Sequence, residues 1–315
     1  MTPTPYVYPP KDQPRIIFLG GIITPDLICL PERLPGQPTF GCHGGKRNNQ
    51  TVAAARLGGA VTTVGTIPDD YWCYDNSQST KENAGSANGV EESTTGEGKN
   101  AVSQDEIFTA YLTHFLKEAD VCVTHATICG EVNKKSLELA KSKGVLTVCN
   151  PASSADKCED RSLLSLVDLF YVNQLGASNI TGKSVEDIES AKAAAIDIQE
   201  MGPKRVVISL GPEGCVFTTS KGDAEHVPCT KCGEVVDTTG AGDCFFGSLV
   251  YLVGKVRHDR NPDDPEYACL DDDNLRQAVR RAAFAASISV TEEGGNRSYW
   301  RREEILQKYP DFFKS

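Results

Sequence analysis

The chain has no run of about twenty apolar residues, the length a helix needs to cross a bilayer, and so it reads as a protein of the aqueous phase. It is also short of positive charge. Lys and Arg number 32 against 43 Asp and Glu, which leaves a formal charge of −11 and a pI near 5.0. Binding to nucleic acid needs clustered cations to neutralise phosphates, so general binding of that kind is excluded, although backbone amides can still hold a small anion. The first eleven residues carry neither a charged leader nor an apolar core, which argues against a secretory signal, and residues 1–14 read as a loose tail. The 12 cysteines are scattered along the chain. Most, such as Cys122, Cys149 and Cys215, sit inside apolar runs where Cys behaves as a small hydrophobe, and Cys229-Thr-Lys-Cys232 has no second pair or nearby His. A reduced, cytoplasmic protein is expected, with the nucleus as a second compartment.

Short β-branched runs alternate with longer amphipathic segments, and this predicts a mostly parallel sheet with helices on both faces. Strands are predicted at residues 15–19, 61–65, 121–124, 145–149, 169–172 and 205–210, and helices at 49–57, 105–118, 133–143 and 185–201. After Leu210 the pattern changes. Residues 214–219 and 224–229 predict an antiparallel pair at one sheet edge, turning through 220–223, followed by helices over 244–255 and 273–291. Residues 258–273 read as a solvated acidic loop. Residues 69–98, rich in Ser, Asn, Gly, Thr and Glu, read as a flexible excursion or lid. At 315 residues the remainder, 15–315, fits one large α/β domain.

The most informative stretch is Val235-Val-Asp-Thr-Thr-Gly-Ala-Gly-Asp-Cys-Phe-Phe-Gly247. It reads as a strand end, a glycine-bearing turn and the first turn of an apolar helix. Gly240 and Gly242 let a backbone approach an anion without a Cβ in the way, and a helix N-terminus adds unpaired N–H donors. A carboxylate beside such an anion hole repels phosphate. Asp243 makes sense there as a general base that takes a proton from an attacking hydroxyl, while capping the helix is the competing use.

This string, with Phe245 and Gly247, resembles the C-terminal signature of the ribokinase (phosphofructokinase-B) family of carbohydrate kinases. Gly44-Gly-Lys-Arg-Asn-Asn-Gln50 resembles the same family's N-terminal glycine-rich element. The resemblance covers most of the chain from Arg15 onward and implies a three-layer α/β/α sandwich with a small β lid. It implies ATP-dependent transfer of a phosphoryl group to O5 of D-ribose, with sugar and ATP as small-molecule partners. For the sugar it implies Thr24, Asp26, Gly45, Lys46, Asn49, Thr127 and Asp243. For ATP it implies Asn173, the segment Ser209, Leu210, Gly211, Pro212, Glu213 and Gly214, and the turn Gly240, Ala241, Gly242 and Asp243. A potassium ion is implied beside the anion hole, held by Asp237, Thr239, Ser289, Glu292, Gly294 and Ser298, and Mg2+ is implied to arrive with the ATP phosphates.

Several positions depart from the family pattern. Thr24 replaces an Asn, Thr127 a ribose-contacting Glu, Arg47 a Gly, and Gly176 the Glu of an Asn-x-x-Glu element. The lid region, about 69–104, is shortened, which weakens the homodimer that such kinases commonly form through lid strands. Another small sugar or nucleoside is an alternative acceptor, and a nucleotide-binding protein that has lost catalysis is the rival class. The retained Asp243 favours an enzyme.

Overall fold

Residues 16–19 read Ile-Ile-Phe-Leu, and all four side chains are buried. Successive strand residues point to opposite faces, so a run that is apolar throughout needs cover on both. A computed structural model describes residues 12–22, 26–28, 40–42, 46–66, 91–94, 112–125, 130–151, 160–260 and 270–314, and it shows this cover. Ile16 and Phe18 enter one core, Ile17 and Leu19 another.

The strands in chain order are β1 (Arg15–Ile22), β2 (Asp26–Ile28), β3 (Phe40–Cys42), β4 (Ala60–Thr66), β5 (Glu91–Thr94), β6 (Val121–His125), β7 (Leu146–Asn150), β8 (Leu169–Asn173), β9 (Arg205–Ser209), β10 (Cys215–Thr218) and β11 (Ala224–Val227). Nine of them form one sheet, ordered β11-β10-β9-β8-β7-β6-β1-β4-β5, while β2 and β3 pair antiparallel by themselves. From β5 across to β9 the pairing is parallel, and β10 and β11 extend it as an antiparallel hairpin. The chain leaves β1 toward β4 on one side and leaves β6 toward β7 on the other. Adjacent β1 and β6 therefore make the switch point beyond which open α/β sheets bind ligands.

The helices are α1 (Lys46–Arg56), α2 (Gly130–Ser142), α3 (Arg161–Leu164), α4 (Gln174–Thr181), α5 (Ile188–Glu200), α6 (Ala241–His258), α7 (Asp272–Ser289) and α8 (Arg302–Lys308), and residues 112–116 are also helical. α1, α6 and α7 cover one face of the sheet through Val52, Phe246, Leu249 and Val279, while α2 and α5 cover the other through Leu137, Ala140 and Ile198. The result is the expected three-layer sandwich.

Three expectations need correction. Residues 91–94, placed within the flexible excursion, form an edge strand parallel to β4. The ends of the loop expected at 258–273 are tied down: His258 Nδ1 lies 3.1 Å from Asp120 Oδ2, and Asp271 caps α7 through Asn274 N at 2.8 Å. The ordered chain also starts before Arg15, since Pro14 is buried and its carbonyl accepts from Ala60 N at 3.0 Å. Residues 1–11, and 67–90 and 95–104 of the lid region, lie outside the described residues.

Candidate active site

The turn at 237–243 is built by its own amides and by the loop after α7. The backbone N–H groups of Val236 and Asp237 both donate to the Val290 carbonyl, at 2.8 and 3.2 Å. Asp237 accepts from Thr239 N at 2.8 Å and from Gly294 N at 2.9 Å. Burial alone would raise its pKa, but these bonds outweigh it and hold the carboxyl below its ordinary value. The chain then enters α6 through Gly240, whose φ of 77° is left-handed. A Cβ there would stand 2.5 Å from Tyr299 Oη, which donates to the Gly240 carbonyl at 2.7 Å. Gly242 is different: a Cβ would meet nothing nearer than Tyr171 Oη at 3.8 Å. Packing does not demand glycine at 242, and the open space is available to a ligand. The expectation that every amide from Gly240 to Asp243 faces phosphate is corrected at Ala241, whose N–H donates to Thr238 O at 3.2 Å.

Asp243 lies in the first turn of α6 but does not cap it, because the cap residue is Gly240. Its carboxylate turns instead toward α1. Gln50 Nε2 donates to Asp243 Oδ1 at 2.8 Å, and Asn49 Nδ2 approaches Oδ2 at 3.4 Å. Gln50 Oε1 lies 2.8 Å from His125 Nε2, so with the Gln50 nitrogen committed to Asp243, His125 presents its proton at Nε2. Asn49 Oδ1 accepts from Asn296 Nδ2 at 3.1 Å. Asn49, Gln50, His125 and Asn296 are all at most 3% exposed. Gly247, one turn after Asp243, brings the two helices this close, since a Cβ there would overlap the Gln50 carbonyl oxygen.

Of the residues expected at ATP, Asn173 and Ser209 end β8 and β9 as register partners. Asn173 Oδ1 caps α4 by accepting from Gly176 N at 2.8 Å, and Ser209 Oγ lies 3.0 Å from Tyr171 Oη. Tyr171 Oη also reaches the Gly242 carbonyl at 3.4 Å, which links this segment to the turn. Burial raises the Tyr171 phenol pKa, with the Ser209 bond opposing and the Asp243 charge adding to the rise. Gly211, Pro212 and Glu213 form an exposed 3-10 turn, while Leu210 is buried and Gly214 packs against β11. Gly214 therefore serves the hairpin.

Of the candidate cation ligands, Asp237, Thr239 and Gly294 meet where the 237–240 turn joins the loop after α7. The Ser289 and Ser298 hydroxyls donate to the carbonyls of Ala286 and Gly295, each at 2.8 Å, and so keep lone pairs on their oxygens. Glu292 instead accepts the Trp300 indole N–H at 2.8 Å. Among the described residues no cluster of three or more His, Cys, Asp or Glu could hold a metal ion. Cys229 and Cys232 are free thiols.

Of the residues expected at the sugar, Asp26 opens β2 opposite Cys42, and Lys46 is exposed at the start of α1, which also contains Arg47. Thr24, Gly45 and Thr127 lie outside the described residues. Sequence reasoning assigned no role to Gln50, His125, Tyr171, Asn296 or Tyr299. Only Gln50 carried a signal, as the last residue of the glycine-rich element.

A pfkB family carbohydrate kinase domain matches residues 20–302. The ribokinase of Mus musculus is 29% identical over 326 residues, covering 94% of each chain, and that of Haemophilus influenzae is 31% identical, covering 93% of this chain and 97% of its own. Among solved structures, ribokinase from Giardia lamblia superposes with a TM-score of 0.77 at 23% identity, covering 95% of this chain and 99% of its own. Arabidopsis thaliana ribokinase complexed with ribose and ATP gives 0.73 at 19%, covering 94% and 98%. Since the family model spans residues 20–302 and a ribokinase 31% identical is matched over nearly its whole length, the chain belongs to the pfkB family of carbohydrate kinases.

Proposed function

We propose that this carbohydrate kinase transfers the γ-phosphoryl group of ATP to the 5-hydroxyl of D-ribose, with Asp243 as general base. The observation that carries the reading is the Asp243 carboxylate, placed beside the bare Gly242 and aimed by Gln50 and Asn49 rather than spent as a cap. Two neutral amides fix its direction and leave its charge intact, as a base requires. The sugar hydroxyl loses its proton to Asp243 as it attacks in line, and the N–H donors at the start of α6 meet the charge that develops on the phosphoryl oxygens. Ribose as acceptor is supported by the ribokinase relatives, one of which binds ribose and ATP in its solved structure.

Exposed Leu175, Val235 and Val236 adjoin Asn173 and Asp237 in the chain and offer apolar surface to a nucleotide base. Mg2+ would come with the ATP phosphates and would supply positive charge to neutralise them. Oxygen donors from Asp237, Thr239, Ser289, Gly294 and Ser298 suit potassium, which would supply fixed positive charge beside the turn. Glu292 is the outlier of that set because Trp300 engages it.

One observation favours the non-catalytic reading: a Cβ at Gly176 would come within 3.1 Å of Asn173 Oδ1, so the local packing is built around the missing Glu. A coupled assay with ATP, ribose, Mg2+ and K+ separates the readings. The expected result is ribose-dependent turnover that falls about 10²- to 10⁴-fold in Asp243→Asn while ATP binding persists. Ribose-dependent turnover no higher than in that variant would sink the reading, and ATP binding without turnover on any sugar would establish the non-catalytic one.

A further inference from the structure

Gly240 stands where the 237–243 turn becomes α6, and little in its own chemistry keeps it in place. Glycine adopts left- and right-handed backbone almost equally, and as the cap of α6 it has no side chain to bond the first amides of the helix. A Ser or Asp cap would bond the N–H of Gly242 or Asp243, whereas glycine leaves the Gly242 N–H, which has no acceptor within the helix, to a ligand. The conformation must then be held from outside the turn. Asp237 holds the first half, through Thr239 N and Gly294 N. The second half is held by Tyr299, 59 positions away, whose hydroxyl donates to the Gly240 carbonyl at 2.7 Å. The same carbonyl accepts from Cys244 N at 2.8 Å, so both of its lone pairs are used. On the other edge of that peptide plane, Ala241 N donates to Thr238 O at 3.2 Å. The plane is pinned at both edges.

Tyr299 is itself a fixed post. It is 3% exposed, and its ring belongs to the core packed by α1, α6 and α7. Its carbonyl accepts from buried Arg56 at the end of α1, and its N–H donates to Asn296 O at 3.4 Å. The hydroxyl is therefore placed by α1 and the core, and the turn conforms to it. Tyr171 does not duplicate this hold, because its hydroxyl lies 3.0 Å from Ser209 Oγ and reaches the Gly242 carbonyl only at 3.4 Å. We propose that Tyr299 is a positioning residue for the phosphate-binding turn, its phenol fixing the Gly240 peptide so that the amide donors that follow meet the phosphates of ATP without reorganising. Tyr299 acts through Gly240 and takes no part in bond making. This role rests on the reading of the turn as the ATP-phosphate site, and not on ribose as the acceptor.

Tyr299→Phe removes only the hydroxyl, keeps the ring in the core and leaves the Gly240 carbonyl its bond from Cys244. Tyr251→Phe is the matched control. Tyr251 is 2% exposed, lies about three helical turns past Gly240 on α6, and loses one bond as well, from Arg302 Nη1 at 2.8 Å. Binding of ATP, with Mg2+ and without sugar, and of adenosine is measured by calorimetry on the full chain and both variants. The expected result is a Kd for ATP raised about five- to tenfold in Tyr299→Phe, the weight of one neutral hydrogen bond, and unmoved in Tyr251→Phe, with adenosine affinity the same in all three. ATP affinity unmoved in Tyr299→Phe, or falling equally in Tyr251→Phe or equally for adenosine, overturns the proposal. Ribose-dependent turnover on the same proteins separates the two readings. Weakened ATP binding in Tyr299→Phe, with no turnover in the unaltered chain, sinks the kinase reading alone. Turnover in the unaltered chain, with ATP affinity unmoved in Tyr299→Phe, sinks the role of Tyr299 alone, and an unaltered chain that binds no ATP sinks both.

Discussion

Gln50 and Asp243 lie 193 positions apart in the chain, yet the Gln50 amide nitrogen donates to Asp243 Oδ1 at 2.8 Å. The contact depends on Gly247, where α6 lets the α1 backbone approach. Gln50 thereby becomes the arm that aims the carboxylate, and His125 holds the arm from behind at 2.8 Å.

Removing that arm should disturb the chemical step more than nucleotide binding. Gln50→Leu is expected to lower kcat about ten- to a hundredfold, the usual effect of losing a group that orients a catalytic one, with KM for ATP little changed. Steady-state kinetics with ATP varied and sugar saturating checks this. An equal rise in KM for ATP would show that Gln50 serves the nucleotide instead.

The two glycines of the turn should separate by mechanism. Gly240→Ala combines a left-handed φ of 77° with overlap at Tyr299 Oη and should cost roughly 1–3 kcal/mol of stability, read as a lower Tm. Gly242→Ala meets only Tyr171 Oη at 3.8 Å and should fold with unchanged Tm while weakening ATP affinity at least tenfold, measured by calorimetry.

Exchange of potassium for sodium at fixed ionic strength should lower activity, and Asp237→Asn should remove that difference. The Asp237 carboxylate is held anionic by Thr239 and Gly294, and the amide variant keeps an acceptor but loses the charge. Turnover measured across a potassium titration reads the effect. An unchanged potassium response in the variant would place the cation elsewhere.

Asp168 predicts an acid limit to stability. Its side chain is 6% exposed, binds Lys141 Nζ at 2.7 Å and Lys204 Nζ at 3.0 Å, and accepts from Thr147 N at 3.0 Å. Burial would raise its pKa, but the Lys141 bond, the Thr147 amide and the Lys charges hold the carboxyl below its ordinary value. The stabilisation is therefore fully present above about pH 4, the unfolded value, and is lost as pH falls through the depressed folded value. Asp168→Asn should cost roughly 2–4 kcal/mol at pH 6, with the deficit shrinking below pH 4. Urea midpoints measured from pH 3 to 6 test this.

Much of the fold was legible because local pattern and tertiary role agree. The apolar run at 16–19, the Ala-rich segment at 273–291 and the 220–223 turn each admit one solution. Residues 174–181 escaped notice because Gly176 and scattered polar side chains break the helical period, and the helix is set by Asn173 capping and by burial of Ala177. The short β5, reading Glu-Glu-Ser-Thr, has no apolar alternation and exists by pairing with β4.

The sequence by itself determined the turn at 237–243, since glycines and a carboxylate at that spacing are a local matter of backbone access and helix polarity. It could not reveal what Asp243 touches, because a side chain's partner depends on which helices pack together. Asn49 shows the difference. The glycine-rich element marked it as a sugar ligand, whereas the fold buries it between Asp243 and Asn296. Local chemistry is written along the chain, but the directions of its charges are settled only when distant segments exclude water together.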